Sequence, residues 1–192
     1  PLVAASVIFV HSYFDALMIR TERITIASEK IPDRIGTLKI VQISDVHIGL
    51  TNEKMRLKRI LDKVKKAEPD LLVSTGDLLD GQTNRIDATA ELLKDIRPRY
   101  GKFAIMGNHE YYSGFPRAIQ FFRDAGFTLL RGERARIDGF LNLIGFDDPA
   151  GRSFGVYRGL SKQDLDAKLL PQYFNIFLRH RPVVSHNPGA FD

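Results

Sequence analysis

Apolar residues along the chain gather into short dense runs separated by stretches of helical periodicity. Residues 38–44 (LKIVQIS) form a compact run rich in β-branched side chains and predict a buried strand. Residues 54–70 (KMRLKRILDKVKKAEPD) place Leu57, Ile60, Leu61 and Val64 on one helical face and basic residues on the other, with Pro69 closing the helix. DLLVSTGD (70–77) predicts a second strand. Residues 84–96 predict a helix through Ile86, Leu92, Leu93 and Ile96, ended by Pro98. KFAIM (102–106) predicts a third strand, and RAIQFFRDAGF (117–127) a helix with Gly126 at its C-terminal cap. LNLIGFDD (141–148) predicts a strand. SKQDLDAKLL (161–170) predicts a helix opened by a capping box of Ser161 and Asp164, and YFNIFLRH (173–180) a last strand. Strands alternating with helices imply an α/β layer fold with helices flanking a sheet, and the stretch after Gly126 leaves room for a hairpin.

The first ten residues, PLVAASVIFV, carry no charge and are too short to span a bilayer by themselves. Three readings stay open: the tail of a transmembrane helix, an element packed on the domain, or a signal-peptide core, the last without a basic n-region to support it. Arg20 and Arg23 follow, which under the positive-inside tendency favours a cytoplasmic domain. Residues 1–20 are therefore expected to end a transmembrane or membrane-associated segment, and residues 21–192 to form the main domain. The protein is expected to be membrane-associated, with a cytoplasmic location as the alternative. The absence of a starting Met and of any tail signal suggests a piece of a longer protein.

Composition alters this picture little. With 192 residues, 44% hydrophobic and 27% charged, the chain can bury a substantial core and is neither disordered nor collagen-like. The net charge of +5 is scattered apart from the basic run at 54–66, which suits a solvated helix face, so no specific nucleic acid is expected. The absence of Cys excludes disulfides, thiolate metal sites and a cysteine nucleophile.

The polar residues carry more information. IVQIS runs into Asp45-Val46-His47, LLVSTG into Asp77, FAIMG into Asn108-His109, and NIFLR into His180. Each apolar run thus delivers carboxylate, imidazole or amide groups at its C-terminal end, the edge where open α/β sheets bind ligands. A lone Asp or His at such a position is an ordinary turn or surface residue. Gly-Asn-His-Glu (107–110), however, should occur by chance in roughly one chain in a thousand of this length, so the specificity lies in that motif and in the order of all of them. Carboxylates, neutral imidazoles and an amide oxygen suit hard or borderline divalent cations. Two such ions about 3.5–4 Å apart can activate water and clamp a phosphoryl group for in-line attack.

On these residues the chain resembles the calcineurin-like metallophosphoesterase family, from about Leu38 to His180. The motifs are DVH (45–47), GDLLD (76–80), GNHE (107–110) and RHRP (179–182), and the similarity is greatest to the bacterial YkuE-like branch. The resemblance implies a β-sandwich with flanking helices and a binuclear centre of manganese, iron or zinc. It also implies hydrolysis of a phosphomonoester or phosphodiester by in-line attack of a metal-bridging hydroxide. By position, Asp45 and His47 would hold the first ion, Asp77 would bridge both, and Asn108 and His180 would hold the second, with Asn108 also near substrate. His109 would sit at the phosphate beside the leaving group, with Asp80 orienting it, and Glu110 would support the loop. His186 in VVSHNP is a rival for His180; His180 is preferred because it ends a strand directly. The family's closing Gly-His-x-His motif is absent, which leaves the ligand set incomplete and the fragment itself weakly active.

Two alternatives come from other readings of the same fold: a non-catalytic scaffold and a nuclease. The first is disfavoured because Asp45, His47, Asp77, Asn108, His109 and His180 are all present; the second rests only on the net charge. A membrane-tethered enzyme would suit a lipid-linked phosphoester. Arg152, Arg158 and Arg181 could meet a phosphate, but no motif assigns them.

Overall fold

A computed structural model of the chain describes residues 2–49, 53–81 and 86–182. After a helix α1 (Leu2–Leu17), the chain forms strands β1 (Ile40–Ile43), β2 (Leu71–Ser74), β3 (Lys102–Ala104) and β4 (Thr128–Leu129), separated by helices α2 (Glu53–Ala67), α3 (Ile86–Lys94), α4 (Asn108–Tyr112) and α5 (Phe115–Asp124). All four strands are parallel and lie in sequence order. Parallel neighbours need a crossover, and the amphipathic helices read from the sequence supply it. Then β5 (Arg134–Ile137) and β6 (Leu141–Gly145) form an antiparallel hairpin, and β7 (Phe174–Leu178) joins β6 in parallel after helix α6 (Lys162–Lys168).

Alternation along the strands divides the core in two. On β2, Leu72 faces a layer with Leu57, Leu61, Leu93, Phe121 and Phe122 from the helices. Leu71 and Val73 face the second sheet, against Ile137, Leu141, Leu143 and Leu178. The central strands β2 and β3 are therefore buried on both faces, which is why β2 reads as an unbroken apolar run. The two sheets packed face to face give the expected sandwich.

Lys102 shows how the helices are held. Its buried ammonium donates to Leu93 O at 2.6 Å and Ala125 O at 2.5 Å, the carbonyl ends of α3 and α5, and lies 5.2 Å from the Phe127 ring centroid. A cation at two helix C-termini offsets their partial negative charge. Burial, with the nearby Arg97, nevertheless pushes its pKa down to about 8. The capping box at Ser161 forms, with Ser161 Oγ accepting from the Asp164 amide and Asp164 accepting from the Ser161 amide. The hairpin allowed after Gly126 is β5–β6. Strands β4 and β5 escape the pattern reading because β4 is two residues long and β5 alternates Arg with Ala and Ile. Helix α1 exposes Val7, Ile8, Phe9 and Val10. Among the described residues no helix is long and apolar enough to cross a membrane.

Candidate metal centre

Strands β1, β2 and β3 end side by side, and the loops that follow them pair through their backbones. The Asp45, His47 and Ile48 amides donate to Gly76 O, Asp77 O and Leu78 O at 3.1, 3.0 and 2.8 Å, and the Asp80 amide donates to Ile48 O at 2.8 Å. This pairing forces an unusual conformation: Asp45, His47 and Asp77 have φ of 53°, 51° and 52°. Non-glycine residues are rarely left-handed, and such outliers cluster at functional sites. Gly76 and Gly107 permit the close approach. A Cβ on Gly107 would lie 2.2 Å from Asp77 Oδ1, and one on Gly76 would lie 2.6 Å from the Gly107 nitrogen.

Glu110 fastens these loops. It is fully buried, and its carboxylate accepts from the amides of Asp77 (2.9 Å), Leu78 (2.7 Å), Leu79 (3.0 Å) and Gly107 (2.8 Å). Burial pushes the carboxyl's pKa up against the pull of these amides. The sequence suggested loop support for Glu110; the structure adds that its main partners lie more than thirty positions upstream, after β2.

The remaining polar groups converge on Asp77, which is almost entirely buried. His180 Nε2 lies 3.3 Å from Asp77 Oδ2, and the Nε2 atoms of His47 and His109 lie 3.9 and 4.0 Å from the same oxygen. Each ring is tied through its other nitrogen. Nδ1 of His180 lies 3.0 Å from Thr75 O, while Nδ1 of His47 and of His109 lie 3.1 and 3.0 Å from the two oxygens of Asp80. An N–H donated from Nδ1 leaves Nε2 with its lone pair, the tautomer a metal ligand requires. Asp80 thus orients two imidazoles, where the sequence suggested one. The His47 and His109 rings meet edge to face, with centroids 4.6 Å apart.

Burial raises the Asp77 pKa, but the His180 hydrogen bond, the His109 amide and the two imidazoles outweigh it and hold the group below its ordinary value. The Asp77 hydrogen bond raises the His180 pKa to about 9 against its burial. Two sets of three side chains offer ligand atoms within 4.8 Å of one another: His47, Asp77 and His109, and Asp45, Asp77 and His180. Asp45, grouped here with His180, also has Oδ1 4.0 Å from His47 Nε2. Asn108 opens α4 directly after Gly107, which brings it to the same edge. His186 lies outside the described residues. The donor set of carboxylates and imidazoles with Nε2 turned inward fits divalent cations.

The second sheet is fastened to this edge by ion pairs that the sequence left unassigned. Arg131 pairs with buried Asp147 at 3.1 and 2.6 Å and also donates to Val156 O. Arg181, next to His180, pairs with Asp148 at 2.6 and 3.0 Å. The signal was visible in the GFDD end of the fourth predicted strand, but the partners lie 16 and 33 positions away. Arg152 stacks on Tyr157, and Arg158 pairs with Glu133 at 3.5 Å.

Comparison with known proteins gives the fold and the family. A Haemophilus influenzae NAD nucleotidase structure superposes with a TM-score of 0.50 at 17% identity, covering 74% of this chain and 34% of that one, a likeness of fold alone. Residues 38–192 match the model of the calcineurin-like phosphoesterases, and the chain belongs to that family. An Aquifex aeolicus metallophosphoesterase is 35% identical over 91% of this chain and 66% of its own length. The metallophosphoesterase YkuE of Bacillus subtilis is 33% identical over 62% of this chain and 43% of its own. A zebrafish transmembrane protein with a metallophosphoesterase domain is 32% identical over 67% of this chain and 31% of its own. The chain thus spans less than two thirds of the length of these relatives.

Proposed function

We propose that the protein hydrolyses a phosphomonoester or phosphodiester at a centre of two divalent ions. Asp45 and His47 would hold one ion, Asp77 would serve both, and Asn108 and His180 would hold the other, with Asn108 also at the substrate. The observation that carries this reading is the inward turn of three Nε2 atoms onto one buried carboxylate oxygen, each ring fixed through Nδ1. Two bound divalent ions, manganese, iron or zinc, would supply activated water and neutralise phosphoryl charge. His109 stands where a leaving oxygen would depart; its ring, held by Asp80, supplies a proton there or stabilises charge. Asp77 and Glu110 keep the loops in the conformation that brings these groups together.

Residues 1–20 form a membrane-associated segment attached to a catalytic domain of residues 21–192. The exposed apolar residues of α1 favour this reading, as does the zebrafish relative described as a transmembrane protein. A lipid-linked phosphoester would suit an enzyme so placed. The test is turnover of a generic aryl phosphodiester by the full-length protein with and without manganese, beside His109→Ala. Metal-dependent hydrolysis, reduced at least a hundredfold in the variant, is expected. Equal rates in the two proteins would remove His109 from the mechanism, and metal uptake without turnover of any phosphoester would favour a scaffold.

A further inference from the structure

Tyr112 is 61% and Phe154 46% exposed, the only exposed aromatic rings among the described residues from 27 onward. Isolated exposed rings are ordinary. These two touch each other, with centroids 6.0 Å apart and planes at 50°, and Tyr112 meets the His109 ring edge-on at 5.6 Å. They come from separate segments, α4 and the 3-10 turn Pro149–Phe154.

Phe154 is anchored from beneath, and Tyr112 lies against it and His109. Phe154 stacks at 6.1 Å on Tyr111, which is buried and itself stacks on Phe115. A Cβ on Gly151 would lie 2.8 Å from the Tyr111 ring, so the turn carrying Phe154 sits directly on that ring. Asp148 caps the turn by accepting from the Ala150 amide at 2.8 Å, and its pairing with Arg181 fixes the cap to the segment that bears His180. The core does not use the outer ring faces, and the arrangement is preorganised for a ligand.

We propose that Tyr112 and Phe154 form a stacking platform for the leaving group, and that the preferred substrates are phosphoesters whose leaving group carries a flat aromatic ring, such as a benzyl-type alcohol or a nucleoside. This rests on the placement of His109 at the leaving oxygen. The Tyr112 centroid is near enough to that imidazole for a ring attached within a few bonds of the ester oxygen to reach it. The open wedge presents ring faces and edges, which suit offset-stacked or edge-to-face contact with another ring.

The test uses manganese-loaded full-length protein. Binding of benzylphosphonate, cyclohexylmethylphosphonate and methylphosphonate is measured by calorimetry, and turnover of the matching benzyl and cyclohexylmethyl phosphates is measured as monoesters and diesters. The two bulky groups are of similar size, but only benzyl has a flat face. Benzylphosphonate is expected to bind roughly fivefold to tenfold tighter than its cyclohexyl counterpart. Tyr112→Ala and Phe154→Ala should each abolish that preference, and Tyr112→Phe should keep it. Equal or tighter binding of the cyclohexyl ligand would overturn the platform, as would variants that weaken all three ligands alike. Hydrolysis without ring preference would sink the platform alone. The predicted binding pattern without hydrolysis of any ester would sink the phosphoesterase reading and leave the two rings as a binding site for a flat aromatic group, not a leaving-group platform.

Discussion

The two sheets bring polar groups to the same edge by different means. At the first sheet, backbone holds side chain: Glu110 accepts four amides, and the loops after β1 and β2 pair with each other. At the second, side chain holds side chain, through the Arg131–Asp147 and Arg181–Asp148 pairs. The first arrangement can hold left-handed Asp45, His47 and Asp77 because the Asp45 and His47 amides reach the carbonyls of Gly76 and Asp77, and the Asp77 amide is given the Glu110 carboxylate. The second only has to bring one histidine, His180, up to a site already formed. Removing a piece of the first should therefore cost more than removing a piece of the second.

Glu110 provides the largest contrast. Glu110→Ala strands four buried amides and should cost about 3–5 kcal/mol in urea denaturation, with metal uptake lost. A loss under about 1 kcal/mol would show that the clamp matters little. Asp80→Asn keeps the fold but leaves two imidazoles with one good acceptor, and manganese affinity by calorimetry should fall about tenfold to a hundredfold. Unchanged affinity would mean that ring orientation comes from packing instead.

The Asp77–His180 pair links the two sheets and should respond to pH in metal-free protein. The His180 pKa is raised from 6.5 to about 9, so its contribution is complete below about 6.5 and fades as pH rises through 9. The Asp77 pKa is lowered from 3.8, so its contribution is present above that value and fades in stronger acid. The pair's contribution should therefore fall by about 2 kcal/mol between pH 6.5 and 9.5, read as the difference between the wild type and His180→Gln, because Lys102, its pKa lowered to about 8, gains stability over the same range. A slope unchanged in the variant would refute the assignment. Arg181→Ala, the smallest change, frees buried Asp148 but leaves its cap on the 3-10 turn, and should cost about 1–2 kcal/mol by the same denaturation. A cost equal to that of Glu110→Ala would erase the distinction between the sheets.

Much of the site was legible before the fold was known. Strands β2 and β3 are buried on both faces, so their apolar runs stand out; Asp45, His47, Asp77 and Asn108 follow runs of the first sheet, and His180 follows β7 of the second. Less could be read at the edges of both sheets. Strand β5 of the second has an exposed face and weak alternation, and β4 of the first is too short to show a period. Asp147 and Asp148 looked like a strand end, because the arginines that make them structural are distant in sequence.

The sequence by itself determined which groups reach the edge and the family to which they belong, since hydrophobic period and turn residues act over a few positions. Only the tertiary structure decided how those groups are aimed: that Asp80 orients two imidazoles, that Glu110 serves a loop beyond its own, and that Tyr112 finds Phe154. Those are contacts between distant segments, and their geometry exists only once the packed sheets fix where each loop lies.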